Sequence, residues 1–144
     1  MPNQLLVIGH GTLPEDMVRA AEMIYGPTEG VSSICLPADQ DLDAYRQAIT
    51  QKIAEGGKTG LLVLADIKGG TPFLTASRAM RDFWDSQVEL VTGLSLPMLT
   101  VVFSCLDDDI TVRELADIAV EAGTQAVTDF RAAVTKRHQE GVSA

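Results

Sequence analysis

The chain has 144 residues, a length that suits one compact domain able to bury a hydrophobic core without disulfide or metal crosslinks. Its 46% hydrophobic and 22% charged residues are typical of a folded globular protein and not of a disordered one. The 20 acidic and 11 basic side chains give a formal charge of −9, which disfavours nucleic acid and anionic membrane surfaces as partners and favours a basic protein. We therefore expect a single domain over residues 1–144.

The N-terminal residues, the apolar stretches and the cysteines indicate the cellular compartment of the protein. The N-terminal residues lack the positive leader and cleavage site of a signal peptide, and no apolar stretch approaches the length of a membrane span. We expect a cytoplasmic protein. Cys35 and Cys105 are too few for a disulfide framework or a zinc site and are expected to be reduced core residues.

The first predicted elements are a strand and a helix joined through a histidine. The apolar run at residues 5–8 predicts a strand buried on both faces of a parallel sheet. His10 follows it, and Pro14 fits the first turn of a helix that Gly26 ends. This arrangement places His10 on the connection between the two.

The rest of the chain continues to alternate between strands and helices. A third helix is predicted to begin with Thr71 as its N-cap and Pro72 as its first helical residue. The alternation predicts an α/β fold, a doubly wound open sheet that is mainly parallel, with about four parallel strands, room for an antiparallel edge strand, and helices on both faces. The other predicted elements are strands at 31–36, 61–65 and 88–91, helices at 42–56 and 97–103, and helical stretches from 112 and 127 with a break near Gly123; the buried face of the third helix is expected to hold Phe73, Ala76, Ser77, Met80 and Phe83.

Two polar residues follow neighbouring strands at the edge where such sheets bind ligands. His10 comes after the first strand and Asp66 after the third. Taken singly, a loop histidine is more often structural, and an acidic residue after a strand is often only a turn former. Together, the carboxylate can accept the proton of one ring nitrogen and leave the other nitrogen free to attack phosphorus.

The segment after Asp66 suits an anion. Gly69, Gly70 and Thr71 precede a helix, so that several backbone N–H groups and the Thr71 hydroxyl can converge on a phosphoryl group. The run lacks the lysine and the spacing of a Walker loop, and no dinucleotide fingerprint or serine-hydrolase elbow occurs. His138 lies in a polar tail and is expected at the surface.

Four segments closely resemble, in the same order and over nearly the whole chain, the mannose-family IIA component of the bacterial sugar phosphotransferase system. They are Leu-Leu-Val-Ile-Gly-His-Gly ending at Gly11, Ala-Glu-Met-Ile-Tyr-Gly ending at Gly26, Ala-Asp-Ile-Lys-Gly-Gly-Thr-Pro-Phe ending at Phe73, and Thr-Gly-Leu-Ser-Leu-Pro-Met-Leu ending at Leu99.

The resemblance implies a phosphotransferase that works as a phosphocarrier. Its histidine, here His10, accepts phosphate from the phosphohistidine of the carrier protein HPr and passes it to a histidine of the IIB component. Asp66 matches the carboxylate that orients the histidine, and the expected phosphoryl-binding residues are Gly70, Thr71 and Phe73. The resemblance further implies a homodimer whose sheet is completed by exchanged C-terminal segments, and no metal or organic cofactor.

The chain departs from the family pattern at two positions, and three other functions stay open. Ser95 stands where the family usually has asparagine, and Lys68 stands where the family varies; both departures bear on specificity and not on phosphate transfer. The sugar stays open, because a IIA component contacts only proteins. One alternative is a tetrapyrrole metal chelatase with His10 as metal ligand. Another is a phosphohistidine phosphatase, although Gly9 replaces the arginine that would clamp the anion. The last is a regulatory module in which His10 and Asp66 only bind a small ligand.

Overall fold

A sheet of four parallel strands organises the fold in a computed structural model that describes residues 2–38 and 41–141. The order of the strands is β2-β1-β3-β4, so the order reverses between β1 and β3. The predicted open parallel α/β sheet is confirmed, and within the described residues it has no antiparallel edge strand. The strands are β1 (Gln4–His10), β2 (Val31–Leu36), β3 (Leu61–Ala65) and β4 (Val88–Thr92).

Helices cover both faces of this sheet, because the two central strands are apolar on both sides. Leu5 and Val7 of β1 face one hydrophobic cluster, whereas Leu6 and Ile8 face the other. Helices α1, α4 and α5 pack on the first face, and α2 and α3 on the second. The helices are α1 (Leu13–Tyr25), α2 (Leu42–Gly56), α3 (Gly70–Asp82), α4 (Leu96–Cys105), α5 (Val112–Gln125) and α6 (Phe130–Gln139).

The predicted N-cap of α3 is wrong. Helix α3 begins at Gly70 with Gly69 in the N-cap position, and no side chain caps it. Gly69 and Gly70 have φ values of +88° and +77°, a region that glycine adopts without steric cost. These glycines turn the chain into the helix before Thr71 is reached, and Thr71 lies half-buried within the first turn.

The predicted buried face of α3 is also wrong in part. Of the five predicted residues only Ala76 is fully buried, and Phe83 is exposed just beyond the helix. Small side chains let the helix approach the sheet closely, and the larger ones lie along its flanks. The buried residues of α3 are Pro72, Thr75, Ala76 and Ala79, and those half-buried are Phe73, Ser77 and Met80.

The C-terminal helices break later than predicted. Helix α5 runs through Gly123 to Gln125, and α6 follows at Phe130 with no buried residue. Gly123 gives room to helix α4, because a Cβ at this position would lie 2.7 Å from Cε of Met98. None of the described helices is long and apolar enough to cross a membrane. Cys35 and Cys105 are free thiols, as predicted, but they are half-buried and not fully in the core.

Candidate active site

His10 and Asp66 meet at the edge of the sheet where the strand order reverses. His10 ends β1, and Asp66 directly follows β3. One carboxylate oxygen of Asp66, Oδ2, lies 2.8 Å from His10 Nδ1 and accepts the backbone N–H of His10 at 3.0 Å. The other oxygen, Oδ1, accepts the backbone N–H of Ile67 at 2.9 Å. The sequence-based expectation that these two side chains lie together is therefore met by the geometry.

The Asp66 carboxyl is held in its ionised form. Partial burial raises its pKa, but the hydrogen bonds from the His10 side chain, the His10 backbone and the Ile67 backbone outweigh burial and leave the pKa below its ordinary value. An ionised carboxylate can only accept hydrogen bonds, so Nδ1 of a neutral His10 carries the ring proton. Nε2 is left with its lone pair, and the His10 side chain is 48% exposed.

Gly9 makes room for this pairing, a role that the sequence did not predict. A Cβ at Gly9 would lie 2.9 Å from Cγ of Asp66, so the carboxyl group occupies the space that a side chain would take. A glycine beside a histidine is a weak signal, because only the fold shows that another strand's carboxylate reaches over it. The N–H of Ile67 is a backbone group and leaves no signal in the sequence.

The start of α3 lies against the free edge of the His10 ring. A Cβ at Gly70 would lie 3.2 Å from His10 Cε1 and 3.4 Å from Nε2. The first turn of α3 has no acidic residue and no side-chain cap, so its unpaired N–H groups and positive dipole end are left for an anion beside Nε2. Thr71 follows in this first turn, and Phe73 lies further along the helix; both are half-buried.

Tyr45 of α2 is a buried residue close enough to Asp66 for the Asp66 charge to act on it. Its side chain is 5% exposed, and its hydroxyl has no hydrogen-bond partner in the part of the chain that the structure describes. Burial, and after it the negative charge of Asp66, raises the pKa of Tyr45, so the phenol stays protonated. From the sequence, Tyr45 is predicted only as part of the core face of its helix.

Metal ligands are not clustered here. Within residues 2–38 and 41–141, no group of three or more histidine, cysteine, aspartate or glutamate side chains could hold a metal ion. His138 is exposed on α6, as predicted.

The fold and this site together define a class of protein: a small doubly wound α/β domain that presents an oriented, solvent-accessible histidine at the switch point of its sheet. A model of the EIIA-man family, described as "PTS system fructose IIA component", matches residues 4–120. The chain belongs to this family of IIA components of the sugar phosphotransferase system (PTS).

Known relatives and solved structures agree with this assignment. The PTS system mannose-specific EIIAB component of Escherichia coli K12 is 33% identical over 129 residues, which are 88% of this chain and 39% of that protein. The chain thus spans about two fifths of the length of this relative. The PTS system sorbose-specific EIIA component of Lacticaseibacillus casei is 25% identical over 99 residues, 69% of this chain and 70% of that protein.

Two solved structures share the fold over most of both chains. The phosphotransferase system component EIIA from Streptococcus agalactiae has a TM-score of 0.82 at 26% identity, covering 90% of this chain and 98% of its own. The mannose/sorbose specific IIA subunit from Enterococcus faecalis has a TM-score of 0.77 at 30% identity, covering 90% and 95%. The predicted resemblance to the mannose family is confirmed.

Proposed function

We propose that the protein is a phosphocarrier whose His10 accepts a phosphoryl group from phospho-HPr and passes it to a IIB component during sugar uptake. The observation that carries the proposal is the 2.8 Å contact between Asp66 Oδ2 and His10 Nδ1, which places the proton of the neutral ring on Nδ1 and its lone pair on Nε2, at an exposed edge of the ring. Membership in the IIA family favours this function over the chelatase, phosphatase and regulatory alternatives.

The chemistry needs little beyond positioning. The Nε2 lone pair attacks the phosphorus of the donor's phosphohistidine, a new N–P bond forms, and the bond to the donor breaks as its imidazole leaves with the electron pair. Nδ1 keeps its proton, and the ionised Asp66 offsets the positive charge that the ring gains. Transfer to IIB repeats the exchange with His10 as the leaving group.

Three further residues are proposed to hold the phosphoryl group. The N–H groups at the start of α3, beginning at Gly70, lie beside Nε2 and suit its equatorial oxygens. The Thr71 hydroxyl can donate one more hydrogen bond from the same turn, and Phe73 is assigned to the site on the resemblance alone. Neither a metal nor an organic cofactor has a step in this scheme.

We further propose the kind of partner surface that the protein binds, its cellular location and its oligomeric state. A net charge of −9 suits docking to a basic donor surface and fast, salt-sensitive exchange. We assign the whole chain to one cytoplasmic IIA domain that forms a homodimer through its C-terminal region. In that region Val127 and Phe130 are 85% and 81% exposed, which suits burial against a second copy.

Phosphorylation by a reconstituted donor system tests the function. With phosphoenolpyruvate, enzyme I and HPr, the protein is expected to gain one phosphoryl group per chain that is labile to acid and stable to base. The His10→Ala variant is expected to gain none, whereas His138→Ala, which removes the exposed histidine of α6, is expected to match the parent. Equal labelling of His10→Ala and the parent would contradict the assignment.

A further inference from the structure

Lys68 lies at the centre of the loop that frames the free edge of His10. It is exposed, and the structure gives it no ion pair or hydrogen bond with any described residue. Among the described basic side chains, Arg19, Arg46 and Arg113 lie in ion pairs with acidic neighbours, so Lys68 is one of several unpaired cations and is distinguished by its place on this loop. In the unphosphorylated protein, the positive charge of Lys68 therefore has no ion-pair partner among the described residues.

Both ends of this loop are fixed relative to the His10 ring. Asp66 is bonded to Nδ1 at the start of the loop, and the backbone at Gly70 lies against Cε1 and Nε2 at its end. Two residues of chain span at most about 7 Å, so the Cα of Lys68 cannot be further than that from the Cα of Gly70. The flexible four-carbon stem of lysine can carry its ammonium from there to a group attached to Nε2.

The charges around the ring change when Nε2 gains a phosphoryl group. Before the reaction, the Asp66 charge is met by Nδ1 and by two backbone N–H groups. On the neighbouring start of α1, Glu15 and Asp16 are both engaged by Arg19. A phosphoryl group adds nearly two negative charges to a protein that already carries −9, and Lys68 is an unpaired cation on the loop beside it.

We propose that Lys68 binds the phosphoryl group after transfer, by an ion pair between its ammonium and the phosphoryl oxygens on Nε2, and so stabilises the phosphorylated form over the unphosphorylated one. This inference rests on the proposed phosphocarrier function. No proton or covalent bond is exchanged with Lys68, whose part is purely electrostatic. One exposed ion pair at contact distance in water corresponds to about a fivefold change in an equilibrium constant.

The test measures the equilibrium constant for phosphoryl exchange between phospho-HPr and the protein. The phosphorylated fractions of HPr and of the protein are determined at a series of increasing HPr concentrations. In Lys68→Met the equilibrium is expected to shift about fivefold toward phospho-HPr. Lys68→Arg is expected to stay near the parent, because it keeps the charge. Lys58→Met is the matched control, since Lys58 is also exposed but precedes the amino end of β3, at the opposite edge of the sheet.

Salt gives a second signature of the same ion pair. Raising the ionic strength is expected to weaken phosphorylation of the parent and of Lys58→Met more than that of Lys68→Met. A Lys68→Met variant with the parent's equilibrium constant overturns the inference, even if its KM for HPr changes, because Lys68 would then only contact the partner. A parent that takes no phosphoryl group from HPr refutes the proposed function itself, and this inference with it.

Discussion

Asp66 decides which nitrogen of His10 is free, so its removal tests the site at the level of one residue. In Asp66→Asn the side chain keeps its shape, but the amide can donate as well as accept and no longer fixes the proton on Nδ1. We expect a folded protein whose phosphorylation is at least about 10- to 100-fold slower, the loss found when a metal-binding histidine loses the partner that orients it. Single-turnover phosphorylation by phospho-HPr measures this rate.

The control for Asp66→Asn is a variant that loses one aspartate charge at a position far from the site. Asp85 is exposed in the connection between α3 and β4, so Asp85→Asn is expected to keep the parent rate. An unchanged rate in Asp66→Asn would take Asp66 out of the mechanism.

Gly70 is expected to tolerate no side chain beside the reacting nitrogen. A Cβ there would lie 3.4 Å from Nε2, inside the space that an incoming phosphoryl group needs, and φ at Gly70 is +77°. We expect Gly70→Ala to lower the phosphorylation rate at least tenfold and the free energy of unfolding by about 1 kcal/mol. Rapid-quench labelling and urea unfolding give the two quantities.

Gly30→Ala is the control for Gly70→Ala, because it introduces similar backbone strain without placing a Cβ beside Nε2. Gly30 has a φ of +80°, its Cβ would meet nothing closer than 3.7 Å, and it precedes β2 at the far edge of the sheet. Its alanine variant is expected to lose similar stability and to keep the parent rate. If both variants lose activity equally, crowding at Nε2 is not the cause.

The sequence allowed part of the site to be predicted residue by residue. His10 and Asp66 were predictable because each lies at the carboxyl end of an apolar strand, His10 as the last residue of β1 and Asp66 just after β3, and parallel strands bring these ends to one edge. Thr71 was misplaced as an N-cap, because the preference for hydroxyl caps took no account of two positive φ angles just before it. The space at Gly9 could not be predicted, since it depends on how closely β1 and β3 meet.

At the scale of elements, helix α2 contains a buried hydroxyl group that does not stabilise it through a hydrogen bond. The Tyr45 hydroxyl is buried without a partner in the described chain, and an unpaired buried hydroxyl costs about 1–3 kcal/mol. We expect Tyr45→Phe to raise the free energy of unfolding by about 1 kcal/mol, the lower end of this cost, because the ring still fills its place. Urea unfolding followed by circular dichroism measures the change.

Tyr25 supplies the matched variant, because its side chain is 51% exposed and its hydroxyl can reach water. Tyr25→Phe is expected to change the free energy of unfolding by less than about 0.5 kcal/mol. A loss of more than about 1 kcal/mol in Tyr45→Phe would show that the Tyr45 hydroxyl has a stabilising partner.

Strands were easier to predict than helix faces in this protein. The ranges predicted for β2 and β3 coincide with the observed ones, because each is a short run bounded by residues unsuited to a strand. The face of α3 was predicted only in part, because small residues such as Thr75 and Ala79, which hydrophobic periodicity weights lightly, form much of its buried surface. Gly123 was taken as a break although it serves the close approach of α4 to α5.

For the whole molecule, the proposed homodimer depends on the C-terminal region. Phe130 is 81% exposed on a helix without a buried residue, so it adds nothing to the core of its own chain. We expect the parent to sediment as a dimer. In Phe130→Asp the dissociation constant of the dimer is expected to rise at least tenfold, because a charge replaces an aromatic ring that the dimer would bury. Sedimentation equilibrium measures this.

Met23→Asp is the control for that shift, since Met23 is 89% exposed on α1. It is expected to sediment like the parent. A monomeric parent would contradict the homodimer and leave the chemistry at His10 untouched, because every contact of His10 described above comes from its own chain.

The position of the phosphorus on the His10 ring tests the central claim most directly. Nitrogen-15 and phosphorus-31 NMR of the phosphorylated, ¹⁵N-labelled protein identifies the bonded nitrogen through its one-bond coupling to phosphorus, with His138→Ala used to remove the other imidazole. We predict phosphorus on Nε2, with Nδ1 protonated and bonded to Asp66. Phosphorus on Nδ1 would contradict it.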